Sequence, residues 1–158
     1  MKKQTPTTKG GVTKYKSKLA TRALSLWFKY GKASKPPFCE VCEAANGAML
    51  ANAKGVLHPQ YLNGHHVEEK MNYALRNDPM NHVLLCPTCH KWGVTSAHRA
   101  PAWFIEWMRQ TRPEQLAYIQ QNRLAKPSSR DETSVESLEA QVERLETLLR
   151  ELNAKPKV

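Results

Sequence analysis

The chain lacks any apolar run approaching the roughly twenty residues that a bilayer-spanning helix needs, so no helical membrane span is expected. No export signal is expected either. Met1-Lys2-Lys3 has the charge of one, but Thr and Lys follow where the apolar segment would stand. A cytoplasmic location is therefore expected, with its thiols reduced. Cysteine is scarce, four in 158 residues, and in a reducing compartment such cysteines read as metal ligands before disulfides. The most lopsided absence is of acid: Met1 to Cys39 holds ten Lys and Arg and no Asp or Glu.

What is present suits one domain with an appended element. Hydrophobic residues make up 41% of the chain and there are four Trp, enough for a packed core. A charged fraction of 24% and a mean hydropathy of −0.62 leave much of the chain solvated. The net charge of +10 is segregated, because Asp131 to Leu152 carries seven acids against Arg144 and Arg150. A basic front and an acidic tail imply separate roles.

Residues 1–12 are expected as a disordered basic arm. From residue 13 to 30 the pattern turns helical, with Leu19, Ala20, Ala23, Leu24, Trp27 and Phe28 on one side. Lys18, Arg22, Lys29 and Lys32 share the opposite arc, and a basic face without interspersed acid reads as a phosphate-contacting surface. Residues 43–63 are small and aperiodic, a loop. "YLNGHHV" and "NHVLL" read as two strands of a hairpin. Pro87 opens a helix that Gly93 ends, Pro101 a second, and Pro113 a third reaching about Leu124. Trp103, Phe104, Trp107 and Met108 at helical spacing read as core.

Residues 126–134 are expected as a linker, with Thr133-x-x-Glu136 as a capping box for a heptad helix over 135–153. Val135, Leu138, Val142, Leu145, Leu149 and Leu152 fall at a and d positions. Val at a and Leu at d favour a parallel two-stranded coiled coil. The expectation is a homodimer through 135–152, or a protein partner for the acidic helix. A helix folded back on its own domain fits the same pattern.

Cys39-x2-Cys42 and Cys86-x2-Cys89 supply four thiolates, which complete the tetrahedral shell of a structural Zn2+ without help from His90. Between the pairs lie Gly64-His65-His66-Val67 and Asn81. Adjacent histidines on a strand point to opposite faces, but at a strand end both can approach one cleft. Metal-assisted phosphodiester hydrolysis needs ligands that leave an ion's coordination open and a neutral imidazole to deprotonate water. His65, His66 and His90 supply that count. Arg76 or Lys91 would clamp the phosphate, and His82 is expected as a surface or packing residue. His98 joins only if the chain bends at Gly93.

The order C-x2-C … GHHV … N-x4-C-x2-C-H resembles the HNH nucleases, whose ββα-metal finger is held by a four-cysteine zinc knuckle. Over roughly residues 15–110 it is similar to phage HNH proteins related to the NinG/Rap recombination nucleases. The acidic helix lies outside the resemblance. The resemblance implies an α+β fold: a small ββα-metal finger clamped by the knuckle and flanked by helices, within a nuclease domain over 13–125. It implies His66 as the general base, Asn81 as the residue that braces the loop and orients that base, and His65 and His90 as ligands of a catalytic Mg2+ or Mn2+. Histidine at 65, where aspartate is common, softens the site so that Ni2+ or Zn2+ competes.

Two readings of function follow. One is a metal-dependent DNA endonuclease, RNA not being excluded, that holds the backbone without reading bases and serves recombination, replication or packaging. The other is a non-catalytic, zinc-stabilised DNA-binding adaptor that recruits a partner through its C-terminal helix. The grouping of His65, His66, Asn81 and His90 separates them, because a binding module has no need of it.

Overall fold

The computed structural model describes residues 8–51, 54–59, 61–124 and 133–154. The expected linker lies outside them except for Thr133 and Ser134, and the expected basic arm except for 8–12. The first helix, α1 (Lys9–Ala33), begins inside that arm. Thr8 caps it, its Oγ1 accepting from the Gly11 N–H at 3.2 Å, so residues 9–12 form the first turn of the helix. Ser34 N–H reaches Tyr30 O at 2.8 Å to close the other end, and Pro36-Pro37 forbid continuation.

One stripe of α1 is buried: Leu19, Ala23, Trp27 and Gly31, each four residues after the last. Its first half meets the C-terminal helix and its second half meets a two-stranded sheet.

The stretch expected as a loop contains a short antiparallel hairpin, β1 (Met49–Ala51) and β2 (Leu57–Pro59). Three residues per strand are too few to show a period, and Gly55 at φ 74° lies between them. The expected second hairpin is present as β3 (Asn63–His66) antiparallel to β4 (His82–Leu85), with His66 opposite His82 and Asn63 opposite Leu85. Val83, Leu84 and Leu85 of β4 are all buried. After β4 a single π-helical turn, Thr88–Trp92, replaces a regular helix. Helices α2 (Pro101–Thr111) and α3 (Pro113–Leu124) follow. Phe104 and Met108 of α2 join Leu116 and Ile119 of α3 over β4, and these with the cysteines form the main core.

The last helix, α4 (Val135–Ala154), is capped by Ser134. Its Oγ accepts from Ser137 N–H at 3.0 Å, so the cap lies one residue after the expected Thr133. Leu138, Val142 and Leu145 are buried, and Leu138 and Val142 pack with Leu19 and Ala23 of α1. Tyr15 OH donates to Glu139 at 2.7 Å, and Arg22 pairs with Glu146. Both contacts join residues 124 apart, so the helices run parallel. The first half of the heptad seam, Val135, Leu138 and Val142, thus packs on α1 of the same chain. The acidic helix finds its basic complement at intramolecular effective concentration, an advantage over a second copy.

His82 is fully buried beneath α1 with neither ring nitrogen hydrogen-bonded. It fits because two neighbours have no side chain. A Cβ on Gly31 would lie 2.2 Å from the ring, and one on Gly64 2.5 Å. Gly31→Ala is expected to destabilise the protein by about 1–3 kcal/mol through overpacking. In a His82→Ala background that cost should largely vanish, as thermal melts of the double-mutant cycle would read. Burial, with Lys35 second, holds the His82 imidazole down to about 3 from its ordinary 6.5. As pH falls from about 6.5 toward 3 the unfolded chain takes up a proton that the folded chain refuses, so stability drops across that window. Denaturation at several pH values should show a shallower drop for His82→Phe than for the wild type.

Candidate metal centres and catalytic site

The four cysteines form a cluster whose Sγ atoms all lie within 4.8 Å of one another. Cys42 and Cys86 sulfurs are 3.7 Å apart, far beyond the roughly 2.05 Å of a disulfide. It is close to the ~3.8 Å edge that four Zn–S bonds of about 2.3 Å impose. The local backbone is shaped for this. Glu43 N–H closes on Cys39 O at 2.8 Å with Glu43 at φ 58°, and Cys89 N–H points at Cys86 Sγ at 3.5 Å. Hydrogen bonds from Cys86 and Cys89 pull the Cys39 thiol well below its usual value. The donor set and spacing fit a structural Zn2+.

Glu40, inside the first pair, fastens the knuckle to the rest. Its buried carboxylate takes Lys35 Nζ at 2.7 Å and Arg112 at 2.6 Å, and accepts from Leu84 N–H on β4. Burial lowers the Lys35 pKa while Glu40 opposes that shift.

A second cluster joins His65, His90 and His98, with candidate ligand atoms also within 4.8 Å. His65 comes from β3 and His90 from the π-helical turn. His98 arrives because the chain doubles back after Gly93: Ala97 N–H bonds Cys89 O at 2.9 Å and His98 N–H bonds His90 O at 3.2 Å. The Nε2 atoms of His90 and His98 are 3.2 Å apart. Tetrahedral M–N bonds of about 2.05 Å would put them roughly 3.3 Å apart. His65 is buried edge-on against Phe104 at 5.0 Å. Burial first, then His90 and His98, push its pKa down to about 3; burial, with His98 second, lowers His90 too. Neutral imidazoles are what a cation requires of its ligands. His65 and His90 are inward and His98 is exposed, so the cluster opens to solvent on one side.

His66 points to the other face of β3, as alternation demands. Its ring stacks on Trp27 at 3.9 Å between centroids and 12° between planes. Trp27 is itself pinned, its Nε1–H donating to Asp78 O at 2.8 Å. His66 Nε2 lies 2.9 Å from Arg76 O. A carbonyl only accepts, so Nε2 carries the proton and Nδ1 holds the free lone pair. Burial lowers the pKa of His66 despite that hydrogen bond, keeping the ring neutral.

Asn81 is fully buried and touches the loop rather than the His66 ring. Its Oδ1 accepts from Glu68 N–H at 2.7 Å, and its Nδ2 donates to Glu68 O and Leu75 O, both at 3.0 Å. Arg76, whose carbonyl holds His66, is the next residue after Leu75. The Trp27 stack and the Arg76 carbonyl had no signal in the sequence, where Trp27 was one apolar position among six.

Of the basic residues, Lys18, Arg22 and Lys29 line a groove of about 480 Å³ on α1 with Ser17, Thr21 and Ser25, and Glu146 borders it. Arg76 lines a smaller groove of about 190 Å³ with Lys16. Lys91 lies beside the histidine cluster, its Nζ 5.2 Å from the Trp92 ring.

Residues 39–92 match the family model described as HNH endonuclease. The match spans both cysteine pairs, His65, His66, Asn81 and His90, and stops short of His98. No curated protein and no solved structure matches the chain.

Metal analysis of single variants tests the two centres separately. Cys89→Ser is expected to lose both ions and the cooperative melt, because structural zinc binding is folding free energy and His90 sits on the same turn. His98→Ala should keep the cysteine-bound zinc and the melt, and lose the second equivalent.

Proposed function

We propose that the chain, which carries an HNH endonuclease segment over residues 39–92, is a metal-dependent DNA endonuclease. The observation that carries this reading is the open three-histidine cluster of His65, His90 and His98 beside a neutral, hydrogen-bonded His66. A structural module has no use for either. The finer reading is a nuclease of the phage recombination type, directed by backbone or branch geometry.

A divalent ion at His65, His90 and His98 would supply Lewis-acid charge to the scissile phosphate and its departing oxygen. Three imidazoles without a carboxylate favour Mn2+, Ni2+ or Zn2+ over Mg2+. His66 is the last residue of β3. A phosphodiester lying across that strand end meets the ligand cluster on the His65 side and the imidazole on the other. His66 Nδ1 takes the proton from the attacking water, and the Arg76 carbonyl steadies the imidazolium that results by accepting from Nε2. Trp27 keeps the ring plane fixed. Asn81 holds the loop that delivers the Arg76 carbonyl, which makes it a positioning residue. Lys18, Arg22, Lys29 and Lys32 on α1, with Arg76 and Lys91, hold phosphates through charge without reading bases.

Cleavage of supercoiled plasmid and of a four-way junction, with Mn2+ and then Mg2+, tests the proposal. His66→Ala is expected to lose at least about a hundredfold in rate while binding DNA as the wild type does. A wild-type protein that binds both substrates and cuts neither would favour the adaptor instead.

A further inference from the structure

Three of the four tryptophans are buried or half-buried, whereas Trp92 is 70% exposed. Its backbone is held on both sides. It ends the π-helical turn that begins after Cys86. Gly93 N–H closes the turn on Thr88 O at 2.8 Å, and a Cβ on Gly93 would strike that same oxygen. Arg99 Nη1 donates to Trp92 O at 3.4 Å. The indole is therefore presented to solvent by a rigid support, and Val94 beside it is 82% exposed.

The surroundings select an occupant. Trp92 stands two residues after His90, and two of the three cluster histidines are followed by a cation: His90 by Lys91, His98 by Arg99. Lys91 Nζ lies 5.2 Å from the indole centroid. An exposed indole with the Lys91 ammonium over its ring and the Arg99 guanidinium at its carbonyl, next to a candidate phosphodiester-cleaving centre, matches a nucleobase with its phosphates. Bases inside a duplex already have both faces stacked. Only an unpaired base, in a single strand, a flap or a fork, can offer one to the indole.

We propose that Trp92 is a stacking platform for an unpaired base beside the scissile phosphate, and that the substrates are DNAs with unpaired nucleotides at the cut. This rests on the nuclease reading for its cleavage step but not for its binding step, and the two can be separated. The full-length zinc-loaded protein would be titrated with a 2-aminopurine-labelled single strand and with the matched duplex. Trp92→Ala is expected to lower the ratio of single-strand to duplex affinity about tenfold, and Trp92→Phe to preserve most of it. A circular-dichroism melt would establish that both variants fold.

An unchanged affinity ratio in Trp92→Ala would overturn the proposal. Cleavage of a flap and of a duplex by the same proteins forms the second arm. If the wild type cuts and Trp92→Ala keeps its flap-to-duplex rate ratio, the platform is wrong and the nuclease stands. If nothing is cut but single-strand affinity depends on Trp92, the platform stands and the nuclease is wrong.

Discussion

Convergence of four sulfurs from two distant parts of the chain is the constraint on which the rest depends. Cys42 and Cys86 are separated by 43 residues, and closing a loop of that length costs roughly 3 kcal/mol of chain entropy. Paired thiolates around a zinc ion offset that cost many times over. Closure sets Glu40 against β4 and against Arg112 at the α2–α3 junction. It also fixes the turn bearing His90 beside the strand bearing His65. The second cluster is thus built from the first, as metal ligands built on a rigid support must be.

Strand β3 divides the labour of the candidate site. His65 and His66 are neighbours in sequence, so the pleat sends one toward His90 and His98 and the other toward Trp27. Each imidazole is neutral for its own reason: His65 by burial among other imidazoles, His66 by burial beneath an indole. An arrangement with both rings on one side would have made them rivals for the same ion. His66 is the last residue of the strand, so both rings stand at one strand end.

The parts of this organisation that rest on periodicity or fixed spacing were readable in the sequence. The cysteine pairs, the β3–β4 hairpin and the three proline-initiated segments all announce themselves within a few residues. The β1–β2 hairpin was hidden because three-residue strands carry no alternation. His98 could be named only on the condition of a bend at Gly93, because the reversal of chain direction that brings it to His90 is encoded by no periodicity. The heptads of α4 correctly described a seam for a parallel partner helix, but a seam does not say whose helix fills it. The decisive clue was the charge asymmetry between the two ends of the chain, which the coiled-coil pattern outweighed. His82 shows the same limit from the other side: its burial depends on Gly31 and Gly64, residues far from it in sequence that had no visible reason to be glycine.

The parallel course of α1 and α4 has a consequence beyond their ion pairs. In antiparallel neighbours the peptide dipoles cancel. Here they add, so Thr8 and Ser134 mark two partial positive poles at one end of the pair and the carbonyl ends gather at the other. Glu146 of α4 pairs with Arg22 along the shaft and Glu136 in the first turn of α4 offsets that helix's pole, whereas α1 has no acid in its first turn. The pair is therefore polarised along its axis, and its uncompensated positive end lies at Thr8, where the N-terminus of α1 stands without a carboxylate.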